Sequence, residues 1–251
     1  MEFKVCLNKM KNNTATILSI SLILGSILVL LGFASIDKAE KRITAIEIHI
    51  VGAEGTEFLT PLRVREHLDT YGQVIGLAED NIPLYEIYEH IMLIPSVQSA
   101  NIYPTLDGEL QLILTQRNPK ARVHSELESD YYIDEQDKYM YLDEQYTARV
   151  PIIHANSYED ALKGVAFIDA TDGDAFWSAL IDQIIVDKKG ELELVPRIGS
   201  RVLLGLEQDP DVQRRNLITF YRAQIKSGNL KNYTRIDLSY KDQVIAKRYV
   251  Y

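Results

Sequence analysis

The pattern of apolar and polar positions divides the chain into three textures. Asn12 to Ile36 carries no charged side chain, and Ile17–Phe33 reads ILSISLILGSILVLLGF. About 20 apolar residues in a helix span a hydrocarbon core of about 30 Å, so this run predicts one transmembrane helix over residues 14–36 behind a short tail, 1–13. A cleaved signal peptide is the other reading, but its apolar region would be shorter and would end in a small-x-small site. From Ile43 the texture changes. Ile46, Ile48 and Ile50 alternate with Glu47 and His49, the period of a half-buried strand. Thr60-Pro61 opens a helix whose apolar side is Leu62, Val64 and Leu68, and Tyr71-Gly72 ends it. Pro83 opens a second helix with Leu84, Ile87, Ile91 and Ile94 near a 3.6 spacing, stopped by Pro95. Val97–Tyr103 and Leu110–Thr115 read as strands joined by a turn at Pro104–Gly108. The order is strand, helix, helix, strand, strand.

Beyond Arg117-Asn118-Pro119 short strands alternate with turns: Ala121–His124, Tyr131–Asp134, Tyr139–Leu142 and Pro151–His154. A helix begins at Ser157 or Asp160 and runs to Ile168. Another, capped by Asp172 or Asp174, carries Phe176, Trp177, Leu180 and Ile181. Strands follow at Gln183–Val186, Glu191–Val195 and Arg201–Leu204. Asp209-Pro210 starts the longest helix, to about Lys226, and two final strands cover Tyr233–Tyr240 and Gln243–Val250. The fold class is α+β: a single transmembrane helix, a small β-α-α-β-β domain, then a mixed or antiparallel sheet with packed helices.

Charge narrows the partners. The first 36 residues hold three of the 27 basic residues and one of the 36 acidic ones, so the remainder is more acidic than the chain's net of −9. Such a surface argues against nucleic acid, which needs a basic footprint. Lys4, Lys9 and Lys11 on one flank of the apolar run nearly balance Lys38, Lys41 and Arg42 on the other. The positive-inside rule therefore leans only slightly towards an internal tail. The one cysteine, Cys6, precedes the run, so the rest has no disulfide, thiol nucleophile or cysteine metal site.

Candidate chemistry is sparse. The five histidines, His49, His67, His90, His124 and His154, show no ligand spacing, and there is no nucleophile elbow and no glycine-rich phosphate loop. Asp169-Ala-Thr-Asp172-Gly-Asp174 fails the spacing of a calcium loop and reads as helix capping. No metal, no cofactor and no catalytic residue is expected.

Several motifs together carry a resemblance. Val51-Gly52 ends a strand before a Thr-led helix. Asn81-Ile-Pro-Leu84, Ile94-Pro-Ser-Val-Gln-Ser-Ala100, Tyr103-Pro104 and Gln116-Arg-Asn-Pro-Lys-Ala121 follow in order. This segment, 43–117, resembles the POTRA domain of the FtsQ/DivIB family of bacterial division proteins, with Gln116 where the family's exit motif usually has Glu. Tyr131–Asp134, Tyr139–Leu142, Val150–Ile153 and the strand pair Tyr233–Tyr240 and Gln243–Arg248 resemble its β-type domain, 118–251, with Asp137 in place of the usual turn glycine. The resemblance implies a non-enzymatic divisome scaffold, single-pass in the inner membrane, with a cytoplasmic N-terminus and a periplasmic C-terminal domain. Its implied partners are FtsB-like and FtsL-like bitopic proteins, with further division components meeting the POTRA domain. In the family the last strands of the β domain present an edge to FtsB, and Tyr240 matches a conspicuous tyrosine there. The alternation of the last strand puts Val244, Ala246 and Val250 on one face and Gln243, Ile245, Lys247, Tyr249 and Tyr251 on the other. One face packs inward and the other meets a partner. The partner-binding candidates are therefore Tyr240, Gln243, Ile245, Lys247, Tyr249 and Tyr251; the alternative is a core strand with a frayed end. Two other functions fit parts of the pattern: a POTRA-containing assembly or secretion factor, and an anchored cell-envelope hydrolase, which would need a pocket of converging polar groups.

Overall fold

The computed structural model describes residues 20–31, 41–52, 56–206, 209–240 and 243–249. Residues 20–31 form a helix, α1, whose side chains are all exposed. Among the described residues no helix is long and apolar enough to cross a membrane. The expected span over 14–36 extends at both ends outside the described residues, as do the tail, 1–13, and Tyr251.

Contacts divide the chain into two compact units. One gathers Met1–Ile50, Pro61–Ile94 and Ser99–Leu114; the other gathers Val51–Thr60, Pro95–Gln98 and Thr115–Tyr251. Three strands, β1 (Ala45–Val51), β2 (Val97–Pro104) and β3 (Glu109–Gln116), form a small sheet in the order β1-β3-β2. Central β3 alternates strictly, burying Leu110, Leu112 and Leu114. Helices α2 (Pro61–Tyr71) and α3 (Leu84–Met92) pack on each other and bury Val64, Leu68, Ile87 and Ile91. Pro83 is the N-cap of α3 and not its first helical residue. Two histidines clasp the helix pair. His67 and His90 stack at 4.3 Å, and each Nε2 bonds the other's backbone carbonyl, at 2.9 and 3.0 Å.

The second unit is built on a nine-stranded mixed sheet. Its strands are β4 (Pro119–His124), β5 (Tyr131–Asp134), β6 (Tyr139–Tyr141), β7 (Ile152–His154), β8 (Ile181–Val186), β9 (Leu192–Pro196), β10 (Arg201–Gly205), β11 (Tyr233–Asp237) and β12 (Ile245–Arg248). The order is β12-β11-β10-β9-β8-β7-β4-β5-β6. Hairpins supply the antiparallel pairs. The parallel pairs β4/β7, β7/β8 and β10/β11 need longer connections. Helices α4 (Tyr158–Ala170) and α5 (Ala175–Leu180) carry the chain from β7 to β8, and α6 (Pro210–Lys226) carries it from β10 to β11. The capping ambiguities resolve in favour of Ser157, which accepts from Asp160 N, and Asp174, which accepts from the Phe176 and Trp177 amides. Asp209 caps α6 ahead of Pro210, the pairing of cap and first-turn proline that the sequence shows. The core lies between helices and sheet, with Trp177, Val165, Leu217, Ile153, Ile184, Leu194 and Ile236 almost fully buried.

A smaller cluster covers part of the other face. Phe58 is completely buried against Tyr132 and Met140, with Tyr146 edge-on to its ring at 4.7 Å. The strap 56–60 that carries Phe58 is held by Gln116. Its Oε1 accepts from Leu59 N at 2.9 Å, and its Nε2 donates to Thr56 Oγ1 and Asn118 Oδ1. Ser96 Oγ adds a bond to the Phe58 carbonyl. The residue that stands where the resemblance expects Glu is thus a buried, three-bonded anchor. Asp137, at the β5–β6 turn, adopts φ +57, the left-handed conformation a glycine would take there without strain.

Candidate functional site

Strand β12 ends the sheet, with β11 on one side and no strand on the other among the described residues. An edge strand leaves one row of backbone N–H and C=O groups unpaired and invites another segment to pair with it. Antiparallel register sets Asp237 opposite Ile245, Ile236 opposite Ala246 and Arg235 opposite Lys247. Ile236 points into the core, so Ala246 and Val244 share its side, and Val244 packs on the core cluster. Ile245 and Lys247 then stand on the helix-free face, where both are exposed.

The six candidates divide accordingly. Ile245 and Tyr249 are exposed by 49% and 56%, enough area on each to anchor a partner. Lys247 and Gln243 are exposed as well, Gln243 just before the strand begins. Tyr251 lies outside the described residues. Tyr240 is 54% exposed but does not lie in a strand. The expected strand Tyr233–Tyr240 stops at Asp237, because the Asp237 carboxylate accepts from Ser239 N at 2.9 Å and turns the chain. Leu238 N keeps a last bond to the Leu203 carbonyl before the chain leaves the sheet. Tyr240 thus belongs to the connection leading into β12. The last strand is likewise shorter than expected, Ile245–Arg248 in place of Gln243–Val250; Val250 lies outside the described residues.

Periodicity missed the neighbours of this edge. Arg201 of β10 pairs with Arg235 of β11, and Arg235 with Lys247 of β12, so three cations stand in one cross-strand row. Glu193 reaches Arg235 at 3.3 Å and Arg201 at 3.6 Å. Among the described residues no ion pair engages Lys247. An acidic chain therefore turns a basic row towards its open edge. Arg248 takes a different course: it lies over the Tyr233 ring at 5.4 Å, and its guanidinium donates to the Tyr233 hydroxyl at 3.3 Å.

A cleft of about 660 Å³ opens beside the end of β12. Ile198, Ile225, Leu230 and Tyr249 supply its apolar wall, and Arg201 and Lys231 its basic rim. Tyr249 is set there by its backbone, which donates to the Asn232 carbonyl at 3.0 Å. Alternation alone groups Arg235 with buried Tyr233; a register shift between the two is what turns Arg235 outward. The cleft has no sequence signature either, because its walls come from separate elements.

A hydrolase would use a different place. A pocket of about 220 Å³ gathers His124, Glu126, His154 and Asn156. His124 Nδ1 is held by Asp130 at 2.8 Å and His154 Nε2 by Gln183 at 2.8 Å, and no serine, threonine or cysteine lines the pocket. Burial pushes the Asp130 carboxyl up, but hydrogen bonds from Arg122 and His124 outweigh it and hold the group below the usual carboxylate range. The ensemble reads as an ion-paired surface network. No group of three or more metal-ligating side chains occurs among the described residues.

No curated protein matches the chain. The family model described as FtsQ/DivIB, C-terminal related, matches residues 118–247, which is more than half of the chain and runs from β4 to Lys247 of β12. The chain belongs to the FtsQ/DivIB-related family, whose members serve in bacterial cell division.

Proposed function

We propose that this chain is a non-enzymatic scaffold of the division complex. It is anchored by residues 14–36 as a single pass in the inner membrane, with its tail inside and residues 43–251 in the periplasm. It captures an FtsB-like partner, with an FtsL-like protein alongside, on the β12 edge, and through them acts on septal peptidoglycan synthesis. One observation carries this reading: β12 terminates the sheet with Ile245 and Lys247 exposed on its helix-free face and Tyr249 exposed just past its end. A partner segment adding to β12 would gain backbone bonds from the edge and side-chain contacts from Ile245 and Tyr249. The row Arg201, Arg235 and Lys247 favours a segment that carries carboxylates. The cleft beside Tyr249 is large enough for one aromatic or aliphatic anchor. Anchoring both partners in one membrane raises their effective concentration, so a modest edge contact suffices.

The test is co-purification of the tagged full-length chain with its FtsB-like partner. Removing Gln243–Tyr251 should abolish capture. Substituting Tyr240 and Tyr249 together by alanine should do the same while the fluorescence of buried Trp177 stays native, which separates lost binding from lost folding. Undiminished capture by the double variant would overturn the reading.

A further inference from the structure

The end of the sheet opposite β12 is built from tyrosine. Tyr131 of β5 and Tyr139 of β6 stack with centroids 4.4 Å apart and planes 20° apart. Tyr158, from the start of α4, also stacks on Tyr131 at 6.3 Å, and Tyr141 meets Tyr139 edge-on at 5.0 Å. The Tyr158 hydroxyl is tied to the Asp137 carbonyl. Exposure climbs along the row from 3% at Tyr131 to 38% at Tyr139 and 65% at Tyr141. The core therefore fixes one end of an ordered ladder of rings and leaves the other end in solvent.

The surroundings of the ladder are acidic. Burial raises the phenol pKa of both Tyr131 and Tyr139, and the Glu128 carboxylate adds to the effect on both; Glu159 adds to it on Tyr131. Among the described residues neither Glu128 nor Glu159 is in an ion pair. Two of the nearby cations are already committed; a third, Lys138 beside Tyr139, is exposed and in no ion pair among the described residues, against the several carboxylates of this edge. Lys120 bridges Asp137 and Asp169, each at 2.8 Å, and Arg117 lies 3.3 Å from buried Asp134. Arg117 Nη1 also donates to the Tyr139 carbonyl, so part of the β6 backbone is occupied. Recognition at this edge falls to ring faces and carboxylates more than to added strands.

Ring faces are negative, and so are the two uncommitted carboxylates; both select a cation. We propose that the β5–β6 edge is a second docking surface, which takes an extended lysine- or arginine-bearing segment of a partner protein, its cations seated against Tyr139 and Tyr141 and paired with Glu128 and Glu159. A neutral glycan would use the rings and ignore the carboxylates, and an acidic segment would be repelled.

The probe is a synthetic octapeptide of alternating lysine and valine, titrated calorimetrically into the full-length chain in zwitterionic nanodiscs. An alternating glutamate–valine peptide and chitotetraose serve as comparisons. The lysine peptide should bind and both comparisons should not. Tyr141→Ala, at a site too exposed to threaten folding, should weaken it about threefold, the size of one exposed cation–π contact. Glu128→Gln with Glu159→Gln should weaken it about tenfold at low salt, with the difference vanishing near about 0.5 M salt. The Tyr240/Tyr249 double variant should leave this binding intact, so failure here and failure at β12 are separately visible. Equal binding of the two peptides, binding untouched by both sets of variants, or binding of chitotetraose alone would each overturn the proposal.

Discussion

Gln116→Leu should loosen the strap 56–60 and with it the second unit. Leucine nearly conserves volume but removes every polar contact of a side chain that is 1% exposed. The Leu59 amide, which donates to Oε1 at 2.9 Å in a buried setting, loses its acceptor. A buried donor left unsatisfied costs about 1–3 kcal/mol. The bonds to Thr56 and Asn118 are part-buried and replaceable by water, so they add about 0.5 kcal/mol each. Added apolar contact returns about 1 kcal/mol. The net loss is about 2 kcal/mol. With a urea slope of about 2 kcal/mol per M, the unfolding midpoint falls by about 1 M. Trp177, the single tryptophan, is buried in the core of the same unit and reports the transition by fluorescence. Gln116→Glu is the informative companion. A carboxylate there still accepts from Leu59 N, the Thr56 hydroxyl can rotate to donate to it, and the Asn118 amide can flip to do so. Three donors keep such a buried group ionised. Its midpoint should stay within about 0.5 M of the parent's at neutral pH. A Gln116→Leu midpoint equal to the parent's, or a Gln116→Glu protein less stable than Gln116→Leu, would refute the hydrogen-bond account of the strap.

Two further outcomes follow from burial and backbone geometry. Gly205 holds φ +83 where β10 shifts register, and a Cβ added there would meet Ser239 Cβ at 2.7 Å and its Cα at 3.2 Å. Gly205→Ala should therefore cost about 3 kcal/mol, on the order of 10 °C in Tm by calorimetry, and an unchanged Tm would show that the Ser239 turn yields freely. Burial pushes the phenols of Tyr131 and Tyr221 up to about 12, with Glu128 adding to the effect on Tyr131. An unfolded phenol ionises near about 10, so both residues stabilise the fold fully below that pH, and the stabilisation is lost as pH rises towards about 12. Replacing both by Phe should flatten the alkaline limb of a urea-midpoint profile, and an unaltered limb would sink the assignment.

Local chemistry was legible in the sequence, and non-local pairing was not. Asp209-Pro210 announces α6 because an Asx cap and a first-turn proline act within one turn. Tyr131–Asp134 is found as a strand from its aromatic content, but all four residues are buried. Phe58, more than 70 positions away, covers the face that a simple alternation would leave to water. The parallel register of β4, β7 and β8 leaves no local trace, since the chain between β4 and β7 first builds β5 and β6. At the candidate edge the inward side of Val244 and the outward side of Ile245 and Lys247 follow from period two. The early end of β11 does not, because it depends on Asp237 capturing the Ser239 amide. The cleft escaped for the same reason as the sheet order: Ile198, Ile225, Leu230 and Tyr249 meet only after folding.

The two ends of the nine-stranded sheet answer the edge problem with opposite chemistry. At β12 no strand covers the outer backbone among the described residues, and the row ending in Lys247 is positive. Two copies approaching β12 to β12 would bring their Lys247 side chains together, with Arg235 one strand behind, which disfavours pairing of like edges. At β6 the strand is only three residues long, and Arg117 occupies the Tyr139 carbonyl. The attraction between a basic β12 and an acidic β6 of another copy therefore finds little backbone to pair with. Under the proposed function, this arrangement would leave β12 available to a partner segment without polymerising through its own sheet. On that reading, the same positive row that would select a carboxylate-bearing segment also disfavours self-pairing of the edge.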